Sequence, residues 1–199
     1  MIEEFKKDLQ TLPPSIVASK WITDRTPILF DNRHYEYLVW KETLGEQIGI
    51  DGRSIAIIGG ACVGFSLNPG KYFKAFEEGS DIDVAIISSH HFNISWHCLR
   101  GLGTGIYKLS QAQQNIVRDH VNRLIYWGTI ATDKILEILP FGAEWLQATN
   151  NMSQLEDTLG RDINFRIYRD FESLKAYQLL GVKKARDSII STPSIEVIE

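Results

Sequence analysis

Apolar residues in this chain are grouped into blocks, some at helical spacing and some alternating as strands do, with proline or glycine between most of them. Residues 2–11 are expected to form a short first helix, ended by Pro13-Pro14 because proline lacks the amide donor and restricts the residue before it. From there to Asp31 the chain reads as irregular, anchored by Trp21 and the run Ile28-Leu29-Phe30. Asn32 offers an N-cap for a helix over 33–48, with Tyr35, Leu38, Val39 and Ile48 at helical spacing and Gly49 placed to end it. Residues 54–58 form a β-rich run closed by Gly59-Gly60, the pattern of a buried strand ending in a tight turn. Residues 61–80 hold several glycines and read as loop, with a helical turn around 72–76.

Residues 81–87 form a second strand, with Asp81, Asp83 and Ala85 on one face and Ile82, Val84 and Ile86 on the other. A long helix is expected over 110–138, with Ser110 as its cap, a stripe of Val117, Val121, Leu124, Ala131, Ile135 and Leu139, and an irregularity at Gly128. Pro140 closes it, and 141–150 reads as another short helix. Residues 163–168 alternate strictly as a third strand, and Asp170 caps a last helix over 171–189. The pattern is a single α/β (α+β) domain over 1–199. Its small sheet has strands near 54–59, 81–87 and 162–168, flanked by helices over 110–150 and 170–190.

Composition changes this picture little. A hydrophobic fraction of 44% with 23% charged residues fits an ordinary soluble globular protein, and disorder is expected only after Ser191. The net charge of −4 argues against a surface coated for non-specific nucleic-acid binding. Within 161–190, however, seven Lys or Arg face four acids, which makes this the segment most welcoming to an anion. Cys62 and Cys98 lack the spacing of a disulfide framework or zinc ribbon. His90, His91 and His97 do not make a zinc site with Cys98, and Trp96, Tyr126, Trp127 and Trp145 read as packing residues. The N-terminus lacks a signal-peptide layout, and no apolar run approaches the ~20 residues that span a bilayer, so a cytoplasmic location without a membrane partner is expected.

Candidate chemistry centres on Asp81 and Asp83. Two carboxylates on one face of a strand sit roughly 7 Å apart and repel, an arrangement that makes sense around a divalent cation. Hard oxygen ligands of this kind suit Mg²⁺ (or Mn²⁺), which also takes oxygens from substrate phosphates. Glycines at a strand end, as at Gly59 and Gly60, let backbone amides approach phosphates closely.

The run Ile57-Ile58-Gly59-Gly60 followed by Ser80-Asp81-Ile82-Asp83-Val84 resembles the nucleotidyltransferase superfamily of the DNA polymerase β kind. The resemblance covers 54–87 and implies that superfamily's small mixed sheet. It also implies a metal site at Asp81 and Asp83 and a nucleotide site at Gly59, Gly60, Ser66, Lys71, Ser80 and Arg166. Twenty residues separate Gly60 from Asp81, more than the family's usual spacing, so 63–78 is a candidate substrate flap. The family supplies a third carboxylate from a later strand. Here the best-matching register puts the neutral amide Asn164 there, and a one-pleat shift puts Asp162 there instead. Asn can coordinate a metal but cannot take a proton from an attacking hydroxyl.

The activity implied is transfer of a nucleoside monophosphate from an NTP to RNA, a protein or a small molecule. Small stand-alone members also imply a bacterial antiviral-defence or toxin–antitoxin role, with a protein partner from the same operon. Asn164 and the basic segment motivate the alternative, a degenerate member that binds a nucleotide, nucleic acid or partner without turnover. A third option is a subunit that uses its Trp-rich helices as an interface.

Overall fold

The computed structural model describes residues 1–71 and 73–191. The elements run α1 (Ile2–Thr11), α2 (Pro14–Ala18), α3 (His34–Ile48), β1 (Ile55–Ile58), α4 (Gly60–Val63) and β2 (Ile82–Ile87). They continue with α5 (Ser89–Gly101), α6 (Gln111–Asp119), β3 (Thr129–Ala131), α7 (Gly142–Met152), β4 (Ile163–Tyr168) and α8 (Phe171–Ser191). The protein is a mixed α/β fold: the strands form one sheet in the order β1-β2-β4-β3, with helices flanking it. β1 pairs antiparallel with β2, β2 parallel with β4, and β3 antiparallel with β4.

Register decides which residues share a face. Ile58 stands opposite Asp83, Asp83 beside Asn164, and Ala85 beside both Ala56 and Arg166. That face is covered over part of its length by α8, which folds back across β2, β3 and β4. The other face presents Ile57, Val84, Phe165 and Ile130, all buried, toward α3, α5 and α7. Trp145 of α7 meets Phe165 with ring centroids 5.4 Å apart. Because α8 leaves the Asp83 end of its face uncovered, the polar residues there reach solvent.

Several expectations hold. Gly49 ends α3 in the left-handed conformation at φ 68°, Ser110 and Gln113 form a capping box for α6, and the Asp170 carboxylate accepts from the Ser173 amide at the start of α8. Both cysteines are free, and burial pushes the Cys62 thiol up to about 12.

Others need correction. The stretch after Pro13 is not irregular: Pro14 opens α2, where its missing amide costs nothing, and Ser19–Thr23 continues as a π-helical turn. Asn32 is not the cap of α3; it lies at φ 58°, and Arg33 takes the cap position without a side-chain bond. Of the expected inward face of that helix only Ile48 is buried. Tyr35 is 75% exposed and Leu38 and Val39 are exposed, while Tyr37, Trp40, Leu44 and Ile48 pack inward, with Phe30 against Tyr37 and Trp40. Two apolar stripes share this helix, and only tertiary packing chooses between them. Ser89–Gly101, unassigned from sequence, is a helix capped by Ser88. The turn expected at 72–76 lies instead at Pro69–Lys71; Tyr72 and the residues after Ser191 fall outside the described residues.

The largest correction concerns 110–138. The helix stops at Asp119, a π-helical turn follows over His120–Leu124, and Gly128 turns the chain at φ 65° into β3. A β-carbon on Gly128 would lie 2.3 Å from the Ser173 hydroxyl, so the turn depends on glycine. Val121, placed on the apolar stripe, is 70% exposed. The strand 163–168 is thus the fourth in the chain, not the third.

His120 fixes this break. It is buried, its Nδ1 donates to the Ile116 carbonyl at 2.7 Å, and its Nε2 accepts from the Ala131 amide at 3.0 Å. Only the neutral ring with its proton on Nδ1 can do both. Burial accordingly lowers its pKa below the ordinary 6.5. A depressed histidine favours folding above its unfolded pKa, and this contribution is lost as pH falls through the folded value. His120→Leu strands the Ala131 amide and should cost about 1–3 kcal/mol in urea unfolding at pH 7.5. The variant should also lose less stability than wild type between pH 7 and 5; equal pH profiles would refute the assignment.

Candidate functional site

Gly59 leaves β1 at φ 64° and ψ −146°, a combination essentially restricted to glycine. This turn brings the chain against Asp83 of the neighbouring strand: a β-carbon at Gly59 would sit 2.8 Å from Asp83 Oδ2. Asp81 directly precedes β2, and the turn before it is pinned from outside. Arg161 donates to the carbonyls of Glu77 (2.7 Å) and Ser80 (3.1 Å), with its guanidinium 4.7 Å from the centre of the Phe76 ring. Within that turn the Ser80 hydroxyl accepts from the Glu77 amide at 3.1 Å.

Asn164 is the residue beside Asp83 in the parallel ladder, and its amide lies 3.5 Å from Asp81 Oδ2. Asp162 lies just before β4, where its carbonyl accepts from the Ile82 amide. Its side chain lines a separate cleft of about 510 Å³, shared with Asn164 and Asp133.

Asp83 keeps much of its surface exposed, yet protein atoms crowd its carboxyl. Burial raises its pKa above the ordinary 3.8; Asp81 and Asp133 add to the rise, and Arg166 and Lys71 oppose it. Asp133, just beyond β3, is the acid that sequence reasoning missed. The residue was hidden because 110–138 read as one helix, and only the β3–β4 pairing, with the Thr132 amide bonded to the Phe165 carbonyl, brings it to the cleft that Asn164 lines.

Asp83 opens onto two adjoining clefts. One, of about 340 Å³, is bordered by Gly60, Ser66, Lys71, Lys74, Ser80 and Asp81. The other, of about 420 Å³, is bordered by Gly59, Gly60, Ser66 and Lys71 on one side and by Arg123, Tyr177 and Lys184 on the other. The structure therefore brings Gly59, Gly60, Ser66, Lys71, Ser80, Asp81 and Asp83 together. Arg166 stands one layer deeper, its guanidinium bonded to the Tyr177 hydroxyl at 3.2 Å and 5.2 Å from that ring's centre. It forms no ion pair with Asp81, Asp83 or Asp162 among the described residues. Arg123, held by Asp119, reaches the same hydroxyl at 3.4 Å. The arm over 63–78 is tied down by a Phe65–Ala75 bridge and by the packing of Phe5, Trp21, Phe65 and Phe73.

The basic segment 161–190 does not form one patch. Arg161 and Arg186 bond backbone carbonyls, Arg169 pairs with Asp170, and only Lys184 borders the Asp83 clefts.

Among the described residues, no three His, Cys, Asp or Glu side chains form a group able to hold a metal ion. A divalent cation would meet Asp81 and Asp83, and Asn164, whose amide nitrogen faces Asp81, would join them only by turning its oxygen inward. That set fits Mg²⁺, which binds through one or two carboxylates and fills its other positions with water and substrate phosphate. No protein-family model, curated protein or solved structure matches this chain.

Proposed function

We propose that this chain is a Mg²⁺-dependent nucleotidyltransferase that moves a nucleoside monophosphate from an NTP to an acceptor hydroxyl. The observation that carries the proposal is the pair Asp81 and Asp83 in a cleft that Lys71 and Lys74 also border, with Asp83 opening as well onto the adjoining cleft of Lys71 and Lys184. Carboxylates and cations this close have opposite uses: the acids hold a divalent ion, and the bases meet the triphosphate. Mg²⁺, when bound by Asp81 and Asp83, would supply charge neutralisation at the phosphates. Gly59 and Gly60 admit the phosphates by having no side chain, and Lys71 and Lys184 take up negative charge on the departing pyrophosphate. The acceptor oxygen attacks the α-phosphorus, the bond to pyrophosphate breaks, and the hydroxyl proton needs a base. Asn164 cannot take it. Asp133, which lines the neighbouring cleft with Asn164 and Asp162 and whose charge Asp83 senses, is the proposed base.

Incubation with each labelled NTP, Mg²⁺ or Mn²⁺ and pooled RNA, protein and small-molecule acceptors should give transfer that disappears in Asp81→Ala. Asp133→Asn should lower kcat by about a hundredfold or more, as loss of a general base does, with the KM for NTP little changed. Unchanged kcat would remove Asp133 from the reaction.

Asn164 at the position beside Asp83 favours a second reading, a member that binds nucleotide without turnover. Under that reading wild type transfers nothing and still binds NTP, and Asn164→Asp gains transfer.

A further inference from the structure

A further cleft opens where the end of β2 meets the start of α8, at the other end of that helix from Lys184. It encloses about 590 Å³, within the range that holds nucleotide-sized ligands. Its apolar wall includes Ile22, Ile87 and Leu174, and Arg25, Lys41 and Lys175 stand around it with a single acid, Asp24. Arg53 also borders it, but Asp51 already holds that guanidinium.

The three remaining cations are not matched. None of Arg25, Lys41 and Lys175 forms an ion pair among the described residues. The Arg25 guanidinium lies 5.4 Å from the Trp21 ring centre, and the Lys41 ammonium 4.9 Å from that of Tyr37. Aromatic faces orient these groups but do not neutralise them. Lys41 is also partly buried, and that burial lowers its pKa, with Glu42 opposing. A desolvated cation without a carboxylate costs stability unless an anion arrives.

We propose that this cleft binds an organic phosphate of about mononucleotide size, independently of the Asp83 site. Three cations facing one acid suit a dianion, and the Arg25 fork matches phosphate oxygens. Ala56, Ile87 and Phe171, which also line the cleft and are accessible, offer the organic part a surface that a free inorganic ion would not use. The dispersal of the basic residues elsewhere disfavours a nucleic-acid track.

The probe is AMP, titrated calorimetrically in EDTA so that no divalent ion serves Asp81 and Asp83. One equivalent should bind, more tightly than either inorganic phosphate or adenosine. Lys41→Met and Arg25→Met should each weaken it at least about tenfold, the worth of one charge-assisted contact. Asp83→Asn and Lys184→Ala should leave it unchanged. A second readout needs no variant: AMP should protect Lys41 from an amine-acylating reagent, measured by mass spectrometry. The proposal is overturned if AMP does not bind, if adenosine binds as well as AMP, if Lys184→Ala rather than Lys41→Met abolishes binding, or if Lys41 labels equally with and without AMP.

Discussion

Asp83→Asn is expected to abolish metal-dependent nucleotide transfer and, in the same protein, to raise the melting temperature measured in EDTA. Both effects have one source. Asp83 holds a carboxylate where burial raises its pKa and the charges of Asp81 and Asp133 add to the rise, so the folded chain disfavours its charge. The amide keeps the shape and removes the charge. Transfer should fall on the order of a thousandfold, because a cation held by Asp81 alone loses both affinity and position. The gain in stability should stay below about 1 kcal/mol, since Asp83 retains solvent access and its charge is screened.

The sign with pH follows. A carboxyl whose folded pKa is raised contributes stability below its unfolded value, lost as pH rises through the folded one. Metal-free wild type should therefore gain from Asp83 protonation on mild acidification, against the opposite effect of His120, and Asp83→Asn should lack that gain. Mg²⁺ should raise the melting temperature of wild type but not of the variant. A lower melting temperature for Asp83→Asn in EDTA would instead make Asp83 a structural partner of Arg166, and the metal proposal would lose its support.

Gly59→Ala should damage both stability and activity, although it adds one methyl group. The backbone conformation there is one that other residues avoid at about 1–3 kcal/mol. The new methyl would also lie 2.8 Å from Asp83 Oδ2, so the carboxylate must shift or the turn must open. Either movement displaces a proposed metal ligand, and transfer should drop by about a hundredfold or more, as misplacement by an ångström does. Double-mutant analysis separates the two costs. In an Asp83→Ala background the steric part vanishes and only the backbone part remains, so the two substitutions should be less than additive in urea unfolding. Gly60→Ala is the control. Its β-carbon would lie 3.3 Å from Phe76 at an ordinary φ, and it should cost far less.

The site was legible in part. A Gly-Gly turn after one apolar run and Asp-x-Asp in another are local patterns, and the strands they lie on form as expected. Asn164 and Asp162 were both visible, but their choice depends on register between strands about eighty residues apart. The ladder puts Asn164 beside Asp83 and leaves Asp162 before the strand. Asp133, Arg123 and Lys184 carried no local signal. Asp133 follows a three-residue edge strand that reads as helix because Ile135 and Leu139 continue the stripe of Val117 and Leu124. What opposes that helix is distant: pairing with β4, the His120 bond to Ala131 and the Arg169 amide bonded to the Gly128 carbonyl.

Sequence alone thus determined the alternation of Asp81 and Asp83 with buried isoleucine and valine, the glycines beside them, and the caps at Gly49, Ser110 and Asp170, because each depends on neighbours within a few residues. Tertiary structure decided which stripe of α3 faces inward, where the helix after Ser110 breaks, and which distant groups face Asp83. Those choices rest on contacts whose partners lie far along the chain, and local spacing does not encode them.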